Sequence, residues 1–347
     1  MIEIDGSQKS GSGTIVRYAV SLASLLGQNL HLTNIRFKRA KPGLRPQHLK
    51  GILACNEIVG GKLEGAAVNS KEIFYYPGKQ IKSGKYAWDI GTAGSTTMLI
   101  QTILPLACFA PSLSTYQVTG GLFQDFAPVA HHLQHVVIPL LAKMGVLVDL
   151  KIIRPGYVPT GGGIIEVTVK PVQNKIQPLT LTSPGKIIEI KGIALASHLQ
   201  ERKVSERMAE SCNKILAEQK LHAKIDCIYD DTAIQRGASL TVYAVTDTGC
   251  IIGADLAGKL GRTSENIGES VAKTLLEDLA TGATVDRHTA DQLILYAALA
   301  AGTTQYIIPR MTEHIDTNLW LIKKILGANF SLKNNQLTIH GVGLKVH

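Results

Sequence analysis

The sequence predicts an α/β protein of repeated units, with a smaller α/β domain inserted late in the chain. Three observations predict it. Strand-like runs and apolar-periodic runs alternate at intervals of about 40 residues. The joins of the main unit are rich in glycine and small hydroxyl residues. From Pro184 to about Gly282 the texture changes to a block with a highly charged helix and no such joins. At 347 residues the chain exceeds one ordinary core. Residues 1–183 and 283–347 are therefore expected to form the large unit, and 184–282 the insert.

The elements follow in order. Met1 to Asp5 alternates as a strand, and Gly6-Ser7-Gln8-Lys9-Ser10-Gly11-Ser12-Gly13-Thr14 is a loop rich in glycine and hydroxyls. The next helix has apolar positions at Ile15, Val16, Ala19, Val20, Leu22, Ala23 and Leu26, with Arg17 on its first turns. This loop lacks the spacing of a Walker or dinucleotide motif. A strand expected from Leu30 to Phe37 runs into Arg36-Phe37-Lys38-Arg39-Ala40-Lys41-Pro42-Gly43-Leu44-Arg45-Pro46-Gln47-His48, with five cations between positions 36 and 45. Pro42 and Pro46 fix φ, and a helix opens at Gln47 and His48. Unpaired N–H groups of a first helical turn beside arginines suit phosphate. The plain alternative is a solvated charge run; a rigid loop is more than such a face needs.

A strand through Phe74 and Tyr75 comes next, then Asp89-Ile90-Gly91-Thr92-Ala93-Gly94-Ser95-Thr96-Thr97 and a helix through Met98 that includes Gln101. A strand from Tyr116 to Thr119 reaches Gly120-Gly121, a helix runs from about Ala127 to Met144, and the strand Val146 to Ile153 meets the glycine-rich run Gly156 to Gly163. In the insert we expect a strand at Lys186 to Ile193, a helix at Glu201 to Gln219, strands around Ile225 and at Leu240 to Val245, and a helix at Glu265 to Leu279. The main unit resumes at Val285, with an apolar helix, a strand at Gln305 to Ile308, and Thr312 to Asn318 ahead of a last helix.

Composition narrows the function. With 45% apolar and 18% charged residues the chain is neither disordered nor fibrous. A net charge of +9 favours a polyanionic partner, nucleic acid before membrane. Aromatics at 5% argue against a broad base-stacking platform. Five scattered cysteines without a C-x-x-C pair argue against a disulfide framework or zinc knuckle. The N-terminus reads as a strand rather than a signal peptide, and the apolar stretch Met98 to Ala110 is too short to span a bilayer. A soluble, cytoplasmic protein is the expectation, with no membrane partner.

Several separated motifs together carry a resemblance: Asp5-Gly6-Ser7, Lys41 to His48, Thr92-Ala93-Gly94-Ser95, Gly156-Tyr157-Val158-Pro159-Thr160-Gly161-Gly162-Gly163, Ala290-Asp291-Gln292-Leu293 and His314-Ile315-Asp316-Thr317-Asn318. In this order they resemble the RNA 3′-terminal phosphate cyclase family along essentially the whole chain. The resemblance implies repeated two-helix, four-stranded units like those of enolpyruvyl transferases, and a smaller insert. It implies conversion of an RNA 3′-phosphate end to a 2′,3′-cyclic phosphate with ATP and a divalent metal, Mg or Mn. His314 would be the nucleophile, carrying AMP before passing it to the RNA 3′-phosphate. Arg17, Arg36, Arg39 and Gln47 would hold phosphate oxygens, the arginines bidentately. Gln101, Pro128, His288, Asp291 and Gln292 would line the nucleotide pocket.

The chain also departs from the family. Ser10 stands where the family's first loop carries a metal-holding glutamate, leaving Asp291 as the remaining candidate ligand. Lys9 is expected to take over part of the ion's role by pairing with phosphate. His288 stands where an aromatic often stacks on the base. The competing reading is a non-catalytic RNA-binding member acting in RNA or ribosome maturation. Retention of His314, Thr317 and Asn318 favours the enzyme.

Overall fold

The computed structural model describes residues 1–345. The first unit runs β1 (Ile2–Asp5), α1 (Gly13–Leu26), β2 (Leu30–Thr33), α2 (Pro46–Val59), β3 (Lys62–Glu64) and β4 (Ile73–Tyr76), and its sheet has the order β1-β2-β4-β3. β1 and β2 are parallel, and β4 is antiparallel to both β2 and β3. The second unit repeats the plan with β5 (Lys85–Asp89), α3 (Thr96–Cys108), β6 (Ser114–Gly120), a segmented helix, β7 (Leu147–Arg154) and β8 (Gly163–Lys170), in the order β5-β6-β8-β7. The segmented helix is α4 (Ala130–His132), a π-helical stretch Leu133–Val137, and α5 (Ile138–Lys143).

After β9 (Thr180–Leu181) come β10 (Ile187–Ser197), α6 (Val204–Ala217), β11 (Ala223–Asp230), β12 (Gly237–Thr246), β13 (Ile251–Ala257) and α7 (Ser264–Ala280). β10 to β13 form a separate sheet of order β11-β10-β12-β13. Met208, Cys212 and Leu216 of α6 and Ile267, Val271 and Leu275 of α7, each set spaced by four, pack with Leu240, Val242 and Ile252 into a core of their own. The third repeat then resumes with α8 (Thr289–Gln292), α9 (Ile294–Leu299), β14 (Thr303–Ile307), α10 (Glu313–Leu326), β15 (Asn329–Lys333) and β16 (Gln336–His340). Its sheet is β15-β16-β14-β9, the same plan once more. Repeated two-helix, four-stranded units are thus the architecture of the large part.

α1 sits centrally, against α2, α3 and α10. That explains its composition: Ile15, Val16, Ala19, Val20, Leu22 and Ala23 are all wholly buried.

Several elements differ from the expectation. β2 stops at Thr33 because Asn34 (φ 48°) and Arg36 (φ 55°) take left-handed conformations that end an extended run. The π stretch replaces a regular helix, which begins at Ala130 rather than Ala127. The segment His314 to Asn318 lies inside α10 and not before it, because Thr312 accepts from the Ile315 N–H at 3.2 Å and caps the helix there. Glu313 and Asp316 in its first turn and Lys323 and Lys324 in its last oppose the helix dipole. β13, the hairpin β15–β16 and the short β3 and β9 had no signal strong enough to be expected.

The insert touches the glycine-rich run of the second unit. Tyr157 Oη lies 2.8 Å from Ser197 Oγ, which donates to Asp230 at 2.8 Å. Gln235 accepts from the Thr160 N–H and donates to the Val158 carbonyl. Gly237 lies flat on the Tyr157 ring, where a Cβ would fall 2.2 Å from a ring carbon. A second junction is the wholly buried pair His132 and Asp286, 3.3 Å apart, whose carboxylate also accepts from the Gly253 N–H of β13. Among the described residues no helix is long and apolar enough to cross a membrane.

Candidate active site

Four helix N-termini meet. α1 is capped by Ser12, α2 begins with Pro46 after Arg45, α3 is capped by Ser95 and α10 by Thr312. Side chains from these first turns touch one another: Thr14 and Arg17 from α1, Gln47 from α2, Met98 from α3 and His314 from α10. Arg17 Nη1 approaches Met98 Sδ at 3.6 Å, and Gln47 Nε2 approaches the same sulfur at 3.5 Å. Gln47 also accepts from the Ser95 N–H at 3.0 Å. Helix N-termini carry partial positive charge and unpaired N–H groups, so their convergence makes an anion-binding face. Burial of Arg17 Nε without a hydrogen-bond partner suits the same purpose.

His314 stands on this face. Its Nδ1 is 3.3 Å from Thr14 Oγ1, which also accepts from Arg17 Nη2 at 3.3 Å. Partial burial of the imidazole, followed by the Arg17 and Arg39 charges, holds its pKa below the ordinary histidine value. The ring is therefore neutral near pH 7. His48, the N3 residue of α2, is also kept neutral, by burial and then by Arg17, Arg36 and Arg45. Its Nδ1 faces the Arg45 N–H, and its Nε2 lies where a Cβ on Gly13 would stand, 2.1 Å away. Glycine at 13 is thus what lets α1 start against α2.

Deeper in, Gln101 donates to Gln292 at 2.6 Å, and both are buried. Asn318 donates to the Asp291 carbonyl at 2.9 Å, while its own Oδ1 is buried and unpartnered. The Pro128 carbonyl accepts from Thr97 at 2.7 Å, which ties that loop to the start of α3. His288 is exposed and lies edge-on to His132, with ring centroids 6.4 Å apart. The nucleotide-pocket candidates thus lie on α3, α8 and their flanking loops.

Two expected site residues make contacts of their own. Arg36 does not extend its guanidinium freely: Nη1 donates to the Lys41 and Gly43 carbonyls at 2.8 and 2.9 Å and shapes the cationic loop from within. Lys9 Nζ is paired with Asp316 at 3.1 Å, so its ammonium already has a carboxylate partner. Asp291, the candidate metal ligand, stands beside Asn318 of α10. Burial pushes its carboxyl up to about 7, against the opposing pull of Arg17. Ser10 Oγ lies 2.9 Å from both Ser12 Oγ and Thr317 Oγ1 in a buried hydroxyl cluster. Among the described residues no three His, Cys, Asp or Glu side chains are grouped to hold a metal ion.

Sequence reasoning missed Thr14, Met98 and the burial of His48. The first two carry no chemical signal of their own; only their place on a helix's first turn, opposite the terminus of another, makes them part of the site.

Repeated βαβαββ units that bring helix N-termini, arginines and a neutral histidine to one face define an α/β repeat protein with a candidate anion site. The family model for RNA 3′-terminal phosphate cyclase matches residues 8–332, and the chain belongs to that family. Relatives named RNA 3′-terminal phosphate cyclase include one from Pyrobaculum aerophilum, 34% identical and covering 99% of each chain. Another, from Pyrococcus abyssi, is 36% identical over 96% of this chain and 95% of its own. A third, from Staphylothermus marinus, is 35% identical over 99% of both. Among solved structures, EPSP synthase from Acinetobacter baumannii aligns over 100% of this chain and 83% of its own, with a TM-score of 0.31 at 13% identity.

Proposed function

We propose that the chain converts an RNA 3′-terminal phosphate to a 2′,3′-cyclic phosphate with consumption of ATP, and that His314 carries AMP on the way. The observation that carries this reading is the His314–Thr14–Arg17 contact. Thr14 Oγ1 accepts from Arg17 Nη2. When it also accepts from His314 Nδ1–H, the ring's lone pair lies on Nε2, where it can attack.

Nε2 attacks the α-phosphorus of ATP; the P–N bond forms as the P–O bond to pyrophosphate breaks, and a neutral ring needs no prior proton loss. An oxygen of the RNA 3′-phosphate next attacks the same phosphorus, breaking P–N and forming a phosphoanhydride. The neighbouring 2′-hydroxyl then attacks the 3′-phosphorus, loses its proton and releases AMP as the ring closes. Through all three steps the first-turn N–H groups, Arg17 and Arg39 offset charge on phosphoryl oxygens, and Gln47 orients them. Mg or Mn would enter as the counter-ion that ATP brings.

The buried Ser10–Ser12–Thr317 cluster favours a second reading, an RNA-binding member without catalysis, because the position of the family's acidic ligand is closed. Incubation with α-phosphate-labelled ATP and Mg²⁺ or Mn²⁺ decides between them. An acid-labile, alkali-stable label on the wild type and not on His314→Ala supports the cyclase. No label with either ion, from folded protein, would leave the RNA-binding reading.

A further inference from the structure

The two most exposed large apolar side chains among the described residues are Phe126, at 99%, and Leu260, at 104%. Far apart in sequence, they flank one ion-pair latch. Asp125 accepts from Arg262 Nη1 and Nη2 at 2.8 and 3.0 Å, and Lys259 Nζ lies 3.3 Å from the same carboxylate. Phe126 directly follows Asp125, and Leu260 directly follows Lys259. The latch thus joins the loop before α4 to the insert loop between β13 and α7, and next to it in the chain an aromatic ring and a leucine each stand fully in solvent. Phe126 also holds a φ of 65°, unfavourable for a bulky side chain. Nothing in the protein core is served by that conformation. The loop's other end is fastened to the candidate site by the Pro128–Thr97 hydrogen bond.

We propose that Phe126 is the stacking surface for a nucleobase near the 3′ end of the RNA, with Lys259, across the same latch, for the strand's phosphate. This rests on the cyclase reading for the identity of the strand. A ring in open solvent with a cation across the latch, at the rim of a phosphate-binding face, matches how single strands are held: bases stack on aromatics while cations follow the backbone. Adenine of ATP is the other base that could reach this loop, since Pro128 on it is a nucleotide-pocket candidate, and the labelling arm of the test separates the two. One ring for one base also fits a chain so poor in aromatics.

The test uses the full chain and a short RNA with a 3′-phosphate and 2-aminopurine as its last base. Wild-type protein should quench the 2-aminopurine fluorescence on binding. Phe126→Ala should lose the quench and bind roughly 5- to 100-fold more weakly, and Phe126→Trp should restore both. Labelling of His314 by ATP in the absence of RNA separates the two base sources, and its dependence on ATP concentration should match wild type in Phe126→Ala. Wild-type affinity and quench in Phe126→Ala would overturn the proposal. So would a raised ATP requirement in that variant, which would assign the ring to adenine. RNA binding does not need the covalent step, so absent label with a Phe126-dependent quench would overturn the cyclase reading alone.

Discussion

Thr14 Oγ1 lies 3.3 Å from His314 Nδ1 and 3.3 Å from Arg17 Nη2, so one hydroxyl joins the first turns of α1 and α10. The two helices come from opposite ends of the chain, and this contact sets which ring nitrogen of His314 faces away from the protein.

Replacing Thr14 by Val keeps the shape and removes the hydroxyl. His314 then loses its orienting partner, and labelling by ATP should slow by about 10-fold or more, the usual scale for a lost hydrogen bond to a reacting group. Thr14→Ser should retain most of the rate. Single-turnover labelling of the three proteins measures it, with thermal melts to show that each is folded.

The pH dependence of labelling should follow the imidazole. Attack needs the neutral ring, and the ring's pKa is lowered from 6.5 by burial, Arg17 and Arg39. The rate is therefore full above that lowered value and falls only at more acid pH. Arg39→Ala removes one of the charges, so its inflection should move up toward 6.5, whatever happens to the amplitude.

Stability should depend on pH through the His132–Asp286 pair. Burial alone would lower the His132 pKa, but Asp286, with help from Asp255, outweighs it and raises it from 6.5 to about 9. A raised pKa means that His132's stabilisation is complete below 6.5 and is lost as pH rises through about 9. The Asp286 carboxyl is lowered from 3.8, chiefly by His132 against the cost of burial, so its share is lost only as pH falls below that value. Asp286→Asn should remove most of the alkaline dependence and destabilise by about 3–5 kcal/mol, since it leaves a buried group unpaired. Urea unfolding between pH 5 and pH 9 checks both.

Ser10→Glu restores a carboxylate to the first loop. The hydroxyl cluster with Ser12 and Thr317 must open to admit it, at about 1–3 kcal/mol. The divalent-ion concentration giving half-maximal labelling should fall roughly 10-fold, because cation affinity follows the charge of the ligands. An unchanged ion requirement would show that position 10 does not face the ion.

Gly237→Ala should loosen the junction between the insert and the glycine-rich run. Its Cβ would stand 2.2 Å from the Tyr157 ring, which is itself buried and cannot swing away. Overpacking of this kind costs about 1–3 kcal/mol, whereas Tyr157→Phe, which loses only the link to Ser197, should cost about 1 kcal/mol. Denaturant midpoints order the two.

Much of this was legible in order along the chain. The helix starts at Gly13 and Thr96 follow from hydroxyl caps before apolar-periodic runs, and the recurring glycine joins marked the repeats. The cationic run at 36–45 marked the loop that leads into α2, one of the four helix starts at the candidate site. The turn of Arg36 Nη1 onto two carbonyls of its own loop was not legible, because in sequence such a guanidinium looks like one that faces solvent. His314 was found only because its neighbours form a recognisable motif; alone it is one of 11 histidines.

The sequence by itself determined much of the alternation of strands and helices, the unit repeat and the basic character of the protein, because these depend on neighbours within a few turns. Tertiary structure alone decided that Thr317 closes over Ser10, that Lys9 meets Asp316, that His314 meets Thr14, and that Phe126 and Leu260 flank one latch. Each of those pairs joins residues more than 100 positions apart. Their meeting is set by how three sheets and their helices pack around α1, and no local pattern encodes that distance.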